Sequence, residues 1–122
     1  MARFALVLAV LLGAGGIVAG AHHAASAQYD TGRTTQIVGV VTKLVLKNPH
    51  SFLEMSEAGK SISWTIEMGP ARQLVRAGWT IERLAPGTKI RVSAHPSRDA
   101  TTHALCCAEI VRFDGSPINQ AP

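Results

Sequence analysis

The sequence predicts a mainly β, single-domain protein: a small five-stranded Greek-key barrel of OB type with one short helix between the third and fourth strands. Two observations carry that prediction. The chain has 122 residues, 47% hydrophobic and 16% charged, which is room for one small core and too apolar a balance for a disordered chain. Its pattern then runs strand, strand, strand, helix, strand, strand, the order found in such barrels. A two-layer α+β sandwich is compatible with the same string of elements and stands as the alternative.

The chain opens on a segment that the fold does not need. Phe4 to Gly20 carries no charge, Arg3 precedes it, and the small residues Ala19, Gly20 and Ala21 follow. A basic start, an apolar middle and a small-residue cleavage site are the layout of a secretory signal peptide, here residues 1–21. A membrane anchor is the competing reading, but the run lies at the lower limit of what spans a bilayer. Cleavage after Gly20, Ala21 or Ala27 satisfies the small-residue rule. The expected location is therefore the periplasm or the exterior, with membrane contact only through the signal peptide during export.

Residues 22–34 are small and polar and read as an extended arm. From Thr35 the chain becomes β-branched. Val38, Val40, Thr42, Leu44 and Leu46 fall on one face and Ile37, Val41 and Val45 on the other, a long strand. Gly39 inside it marks a bulge or the close approach of another backbone. Asn48-Pro49 ends it, because proline has no amide to give to a sheet. Ser51 to Met55 is a second strand, and Glu57-Ala58-Gly59-Lys60 a polar turn. Ser61 to Met68 is a third, with Ile62, Trp64 and Ile66 alternating against Ser61, Ser63 and Thr65. Gly69-Pro70 opens a short helix that Gly78 stops, with Leu74 and Val75 toward the core and Arg72 and Arg76 toward solvent. Pro86-Gly87 is a turn, Thr88 to Ala94 a fourth strand, His95 to Thr102 a loop and Ala104 to Phe113 a fifth strand. The barrel thus occupies 35–114, and 115–122 reads as a loose tail.

Charge excludes one class of partner. Removing Arg3 with the signal peptide lowers the net charge of +4 by one, and the remaining Lys and Arg are scattered along the chain. Nucleic-acid binders gather such charge on one face, so no nucleic-acid partner is expected. There is also no nucleophile elbow, phosphate loop, zinc-spaced Cys cluster or repeat.

The chemistry that remains is histidine and cysteine chemistry. A cut after Ala21 makes His22 the terminal residue, whose amine and imidazole chelate one metal ion. A cut after Gly20 leaves Ala21-His22-His23, able to form a square-planar nitrogen site. Such sets favour copper, and His50, following Pro49 at a barrel end, is the expected third ligand. A cut after Ala27 discards both terminal histidines. The bland readings are a solvated His pair and a turn histidine bonded to a carbonyl.

His95 and His103 flank the last loop and could face each other across the strands. Cys106 and Cys107, adjacent in a strand, should point to opposite faces, with one buried and the other partly covered. The exposed one could form an intermolecular bridge, and a vicinal disulfide would be strained. Trp64 and Trp79 read as core or rim packing. Glu54 and Glu67 lie on neighbouring strands, and sequence does not place them on a common face.

Taken together, His22-His23, Asn48-Pro49-His50, Trp64, Glu67-Met68-Gly69-Pro70, Leu74, Arg76, Gly78-Trp79, Leu84, Pro86-Gly87 and Pro96 resemble the domain-of-unknown-function family numbered 6152. The resemblance runs from about His22 to Val111 and implies export and one small β-rich domain, without an activity. Family members usually carry Ser after the His pair and an aromatic or branched residue after Asn-Pro-His. Here Ala24 and Ser51 stand there, removing a hydroxyl and thinning an apolar rim. The expected function is a binding or accessory module for an unknown protein or small molecule. The alternative is a copper-binding protein using His22, His23 and His50, and a copper-dependent oxidase-like enzyme is the remote one.

Overall fold

The computed structural model describes residues 25–120. Among these residues are five strands, β1 (Thr35–Val45), β2 (Ser51–Glu57), β3 (Ser63–Met68), β4 (Lys89–Pro96) and β5 (Ala104–Arg112), with a helix, α1 (Ala71–Arg76), between β3 and β4. The strands close in the order β1-β2-β3-β5-β4, with β4 paired back onto β1. That closure removes the sandwich alternative, because a two-layer sheet leaves its outer strands unpaired. Only β3 and β5 run parallel, through Thr65↔Ala104, Ile66↔Leu105 and Glu67↔Cys106.

Alternation fills the barrel. Ile90, Val92 and Ala94 of β4 and Leu53 and Met55 of β2 point inward, while their neighbours are half-buried. Leu53, Ile66, Ile90 and Leu105 are wholly buried, each worth roughly 1.5–3 kcal/mol of apolar transfer. On β1 the inward set is Ile37, Gly39 and Val41, so the two faces expected from sequence are only partly right. A register shift between Val41 and Lys43 makes Thr42 the extra residue, after which Leu44 packs on the core. Gly39 answers to close approach rather than to the bulge, since a Cβ there would collide with the Ser56 carbonyl and crowd the Met55 side chain.

Three segments differ from the sequence reading. Residues 25–28 form a helical turn where an extended arm was expected, and Tyr29 beyond it is buried and bridged to Ser97. Residues 115–120 are not loose. Ile118 is 1% exposed in the core, Pro117 bridges Val111, and the Asn119 side-chain amide donates to the Ala77 carbonyl at 3.0 Å. Finally, α1 buries no residue fully: Leu74 is half-buried and Val75 is 55% exposed. A helix this short presents one narrow stripe, and the core below it is plugged by Leu84 and Ile118 instead.

Candidate functional site

The parallel β3–β5 pairing stops at Glu67↔Cys106, and the chain diverges beyond it. The gap forms a pocket of about 610 Å³. Met68 and Gly69 from the end of β3 line one side and Cys106, Cys107 and Ala108 from β5 the other. Leu74 of α1 and Trp79 after it form an apolar wall, and Ala25, Gln28 and Tyr29 close over the top. His50 enters from the β1–β2 turn.

One chain of hydrogen bonds crosses this pocket. Nδ1 of His50 lies 2.5 Å from Oε1 of Glu67, and the Tyr29 hydroxyl donates to Oε2 of the same carboxylate at 2.8 Å. An ionised carboxylate only accepts, so Nδ1 of His50 is the donor in this contact. Burial, and then the bond to Glu67, push the Tyr29 phenol far above its ordinary value, so it stays a donor.

Each part is held by its own local structure. Tyr29 is fixed by the helical turn, through its amide to the Ala25 carbonyl at 2.8 Å, and by stitching to the β4–β5 loop. The Arg98 amide donates to the Gln28 carbonyl and the Asp30 amide to that of Pro96. His50 is fixed by Ser51, which is fully buried and whose Oγ both accepts from the Lys47 amide and donates to the Lys47 carbonyl, at 3.1 Å each. Glu67 is placed by its register opposite Phe52 on the outer face of β2–β3.

The cysteines depart from the sequence expectation. Cys107 has φ 56°, and a register shift between Ser93 and His95 makes it part of a bulge. The left-handed backbone turns the strand's alternation off, so the two thiols lie together, with Sγ···Sγ 2.7 Å, instead of on opposite faces. Cys106 is buried and Cys107 exposed. Burial, with the neighbouring Cys107 thiol next, pushes the Cys106 thiol up to about 12.

Of the metal ligands expected from sequence, His50 is in the pocket, whereas His22 and His23 lie outside the described residues. Among the described residues no three His, Cys, Asp or Glu side chains converge where they could hold a metal ion. His95 and His103 do not face each other. His95 Nδ1 contacts the Arg33 carbonyl at 2.6 Å, and His103 stands edge-on to Trp64 at 5.1 Å between ring centres. Trp64 is held apart from the pocket by Glu57, which accepts from its indole at 2.9 Å and pairs with Lys60 at 2.7 Å. Lys60 and then Trp64 hold the Glu57 carboxyl below its usual range. Trp79, not Trp64, is the tryptophan of the site. Glu54 sits opposite Thr65 and Glu67 opposite Phe52, and only Glu67 lines the pocket.

Tyr29 and Ser51 are the participants that sequence reasoning missed. The signal for Ser51 was its place four residues after Lys47 across a proline turn, where a hydroxyl can bond back to the main chain. Nothing local marked Tyr29, whose partner is 38 residues away.

No curated protein and no solved structure matches the chain. A family model does match, over residues 10–106, and with that span the chain belongs to the Family of unknown function (DUF6152).

Proposed function

We propose that the protein is an exported binding module whose ligand occupies the pocket between β3, β5 and α1. The observation that carries the reading is a pocket with apolar walls crossed by one preset polar chain, His50–Glu67–Tyr29. Ligand sites commonly occupy roughly 300–1,000 Å³ and combine such walls with a few fixed polar groups. A ligand held there stabilises the fold by mass action, about 2.7 kcal/mol at one hundred times its Kd. A screen of small polar aromatics for a raised Tm, repeated on His50→Ala and Trp79→Ala, tests it. Compounds that stabilise the native chain should lose that effect in both variants; shifts identical in all three proteins, or no shift at all, overturn the assignment of the pocket. Export is checked by the intact mass of the secreted protein, which should lack the first 20, 21 or 27 residues.

Copper binding is the second reading, favoured by one specific feature. Metal-binding imidazoles characteristically give their other nitrogen to a carboxylate, and Glu67 takes Nδ1 of His50 in that way. Ala25, which lines the pocket, follows His23 by two residues, a reach of about 7 Å. This reading requires the terminal nitrogens of a mature chain starting at Ala21 or His22 to reach His50. Titration with Cu(II), and with Ni(II), which thiols do not reduce, should show affinity falling at least tenfold in His50→Ala. Unchanged affinity leaves only a peptide site at the terminus, and a chain that starts at Gln28 removes the copper reading.

A further inference from the structure

We propose that Cys106 and Cys107 form a reversible thiol–disulfide site in the pocket wall, oxidised to a vicinal disulfide by compounds of the disulfide class. Three observations carry it. The two sulfurs are already in contact at 2.7 Å, both residues line the pocket, and one of them is exposed while the other is buried. A fourth explains how adjacent strand residues come to meet at all. Cys107 adopts a left-handed backbone, φ 56°, that an L-residue other than glycine rarely takes. The conformation is disfavoured for an L-residue, and what it achieves is to bring the second sulfur round beside the first.

The division of labour follows from burial. Cys107 is the entry thiol. It loses its proton, and its sulfur attacks one sulfur of R–S–S–R; that bond breaks, one thiolate leaves and takes up a proton, and a mixed disulfide remains on Cys107. Cys106 then loses its proton, and its sulfur attacks the Cys107 sulfur, displacing the second thiolate, which is protonated in turn. The oxidant gains two electrons and two protons and becomes two thiols, while the two cysteines lose them and become joined. Burial keeps Cys106 a thiol and a poor nucleophile toward outside reagents. Contact with its neighbour compensates, because a reaction between groups held together has a very high effective concentration. The product is easily reversed: neighbouring Cα atoms are about 3.8 Å apart, below the roughly 4.4–6.8 Å that disulfides usually span. Strained, accessible disulfides are the labile ones.

The test is incubation of the folded, reduced protein with oxidised glutathione, followed by intact mass and peptide mapping. The native chain should lose two hydrogens and both free thiols without retaining glutathione, with the new bond mapped to Cys106–Cys107. Excess reduced glutathione should restore both thiols. Cys106→Ser should stop at one glutathione on the chain. Cys107→Gly, which suits the left-handed backbone and so keeps the fold, should add nothing. A stable glutathione adduct on the native chain, a disulfide-linked dimer, or two thiols that persist would each overturn the proposal. None of these readouts involves a pocket ligand or metal, so the site can fail while the binding reading stands, and the reverse.

Discussion

Ser51 shows how much one hydroxyl can organise. Its Oγ closes on both main-chain groups of Lys47, its amide donates to the Gly69 carbonyl at 3.1 Å, and the Lys47 carbonyl also accepts from the Ala71 amide at 3.0 Å. The buried Ser51 side chain thus closes the turn from β1 to β2 around His50, and main-chain bonds from the same turn tie it to Gly69 and to Ala71 at the head of α1. Ser51→Ala leaves the Lys47 amide without its partner, and we expect a loss of roughly 1–3 kcal/mol in urea unfolding. The pocket affinity should fall with it, because His50 loses its support. In the sequence Ser51 resembles a missing apolar rim residue; its value lies in bonds to Lys47 and in its amide's bond to the Gly69 carbonyl ahead of α1, and the second of these is invisible in a linear pattern. Gly39 was legible for the opposite reason, since a glycine weakens a β-branched strand unless a neighbour needs the space that a side chain would fill. Gly39→Ala should be destabilising by about 3 kcal/mol, at the severe end for overpacking, because the Ser56 carbonyl is backbone and cannot step aside.

At the level of elements, strands with strict alternation were readable and irregular segments were not. β4 and β2 carry the period of two cleanly. In β1 and β5 a bulge resets that period midway, so Leu44 and Ile110 fall on the core side out of phase with Val41 and Leu105. Nothing in the residues around Cys107 announces the second bulge, because the left-handed position is not occupied by glycine. The C-terminal segment looks loose in sequence because its polar composition conceals one anchor. Ile118 enters the core, and Arg83 bridges the Gly78 and Asn119 carbonyls at 2.6 and 3.0 Å, binding the segment to the end of α1. Ile118→Ala should therefore destabilise the protein by about 2–4 kcal/mol in denaturant titration. A loose tail would give no change.

For the molecule as a whole, the fold class was legible because sequential hairpins and one helix in a fixed order admit few closures. The pocket was not, because it depends on where the β3–β5 pairing ends and on a Tyr29–Glu67 contact across the barrel. Burial of two weak acids gives the whole fold a pH signature. Folded Cys106 and Tyr29 both hold their protons more tightly than ordinary thiols and phenols. The stability that this contributes is full below the unfolded thiol value of about 8.5 and drains away as pH rises toward the folded values. Tm should consequently fall between about pH 8.5 and 11, and less steeply in Cys106→Ala; a parallel slope in the variant would place the titration elsewhere. The closed ring of strands has a further consequence. Each described strand has a neighbour on both sides over part of its length, so a visiting chain would meet only short unpaired stretches, such as β5 beyond Cys106, instead of a full open edge. Fibril-like stacking along a whole strand therefore requires the ring to open first.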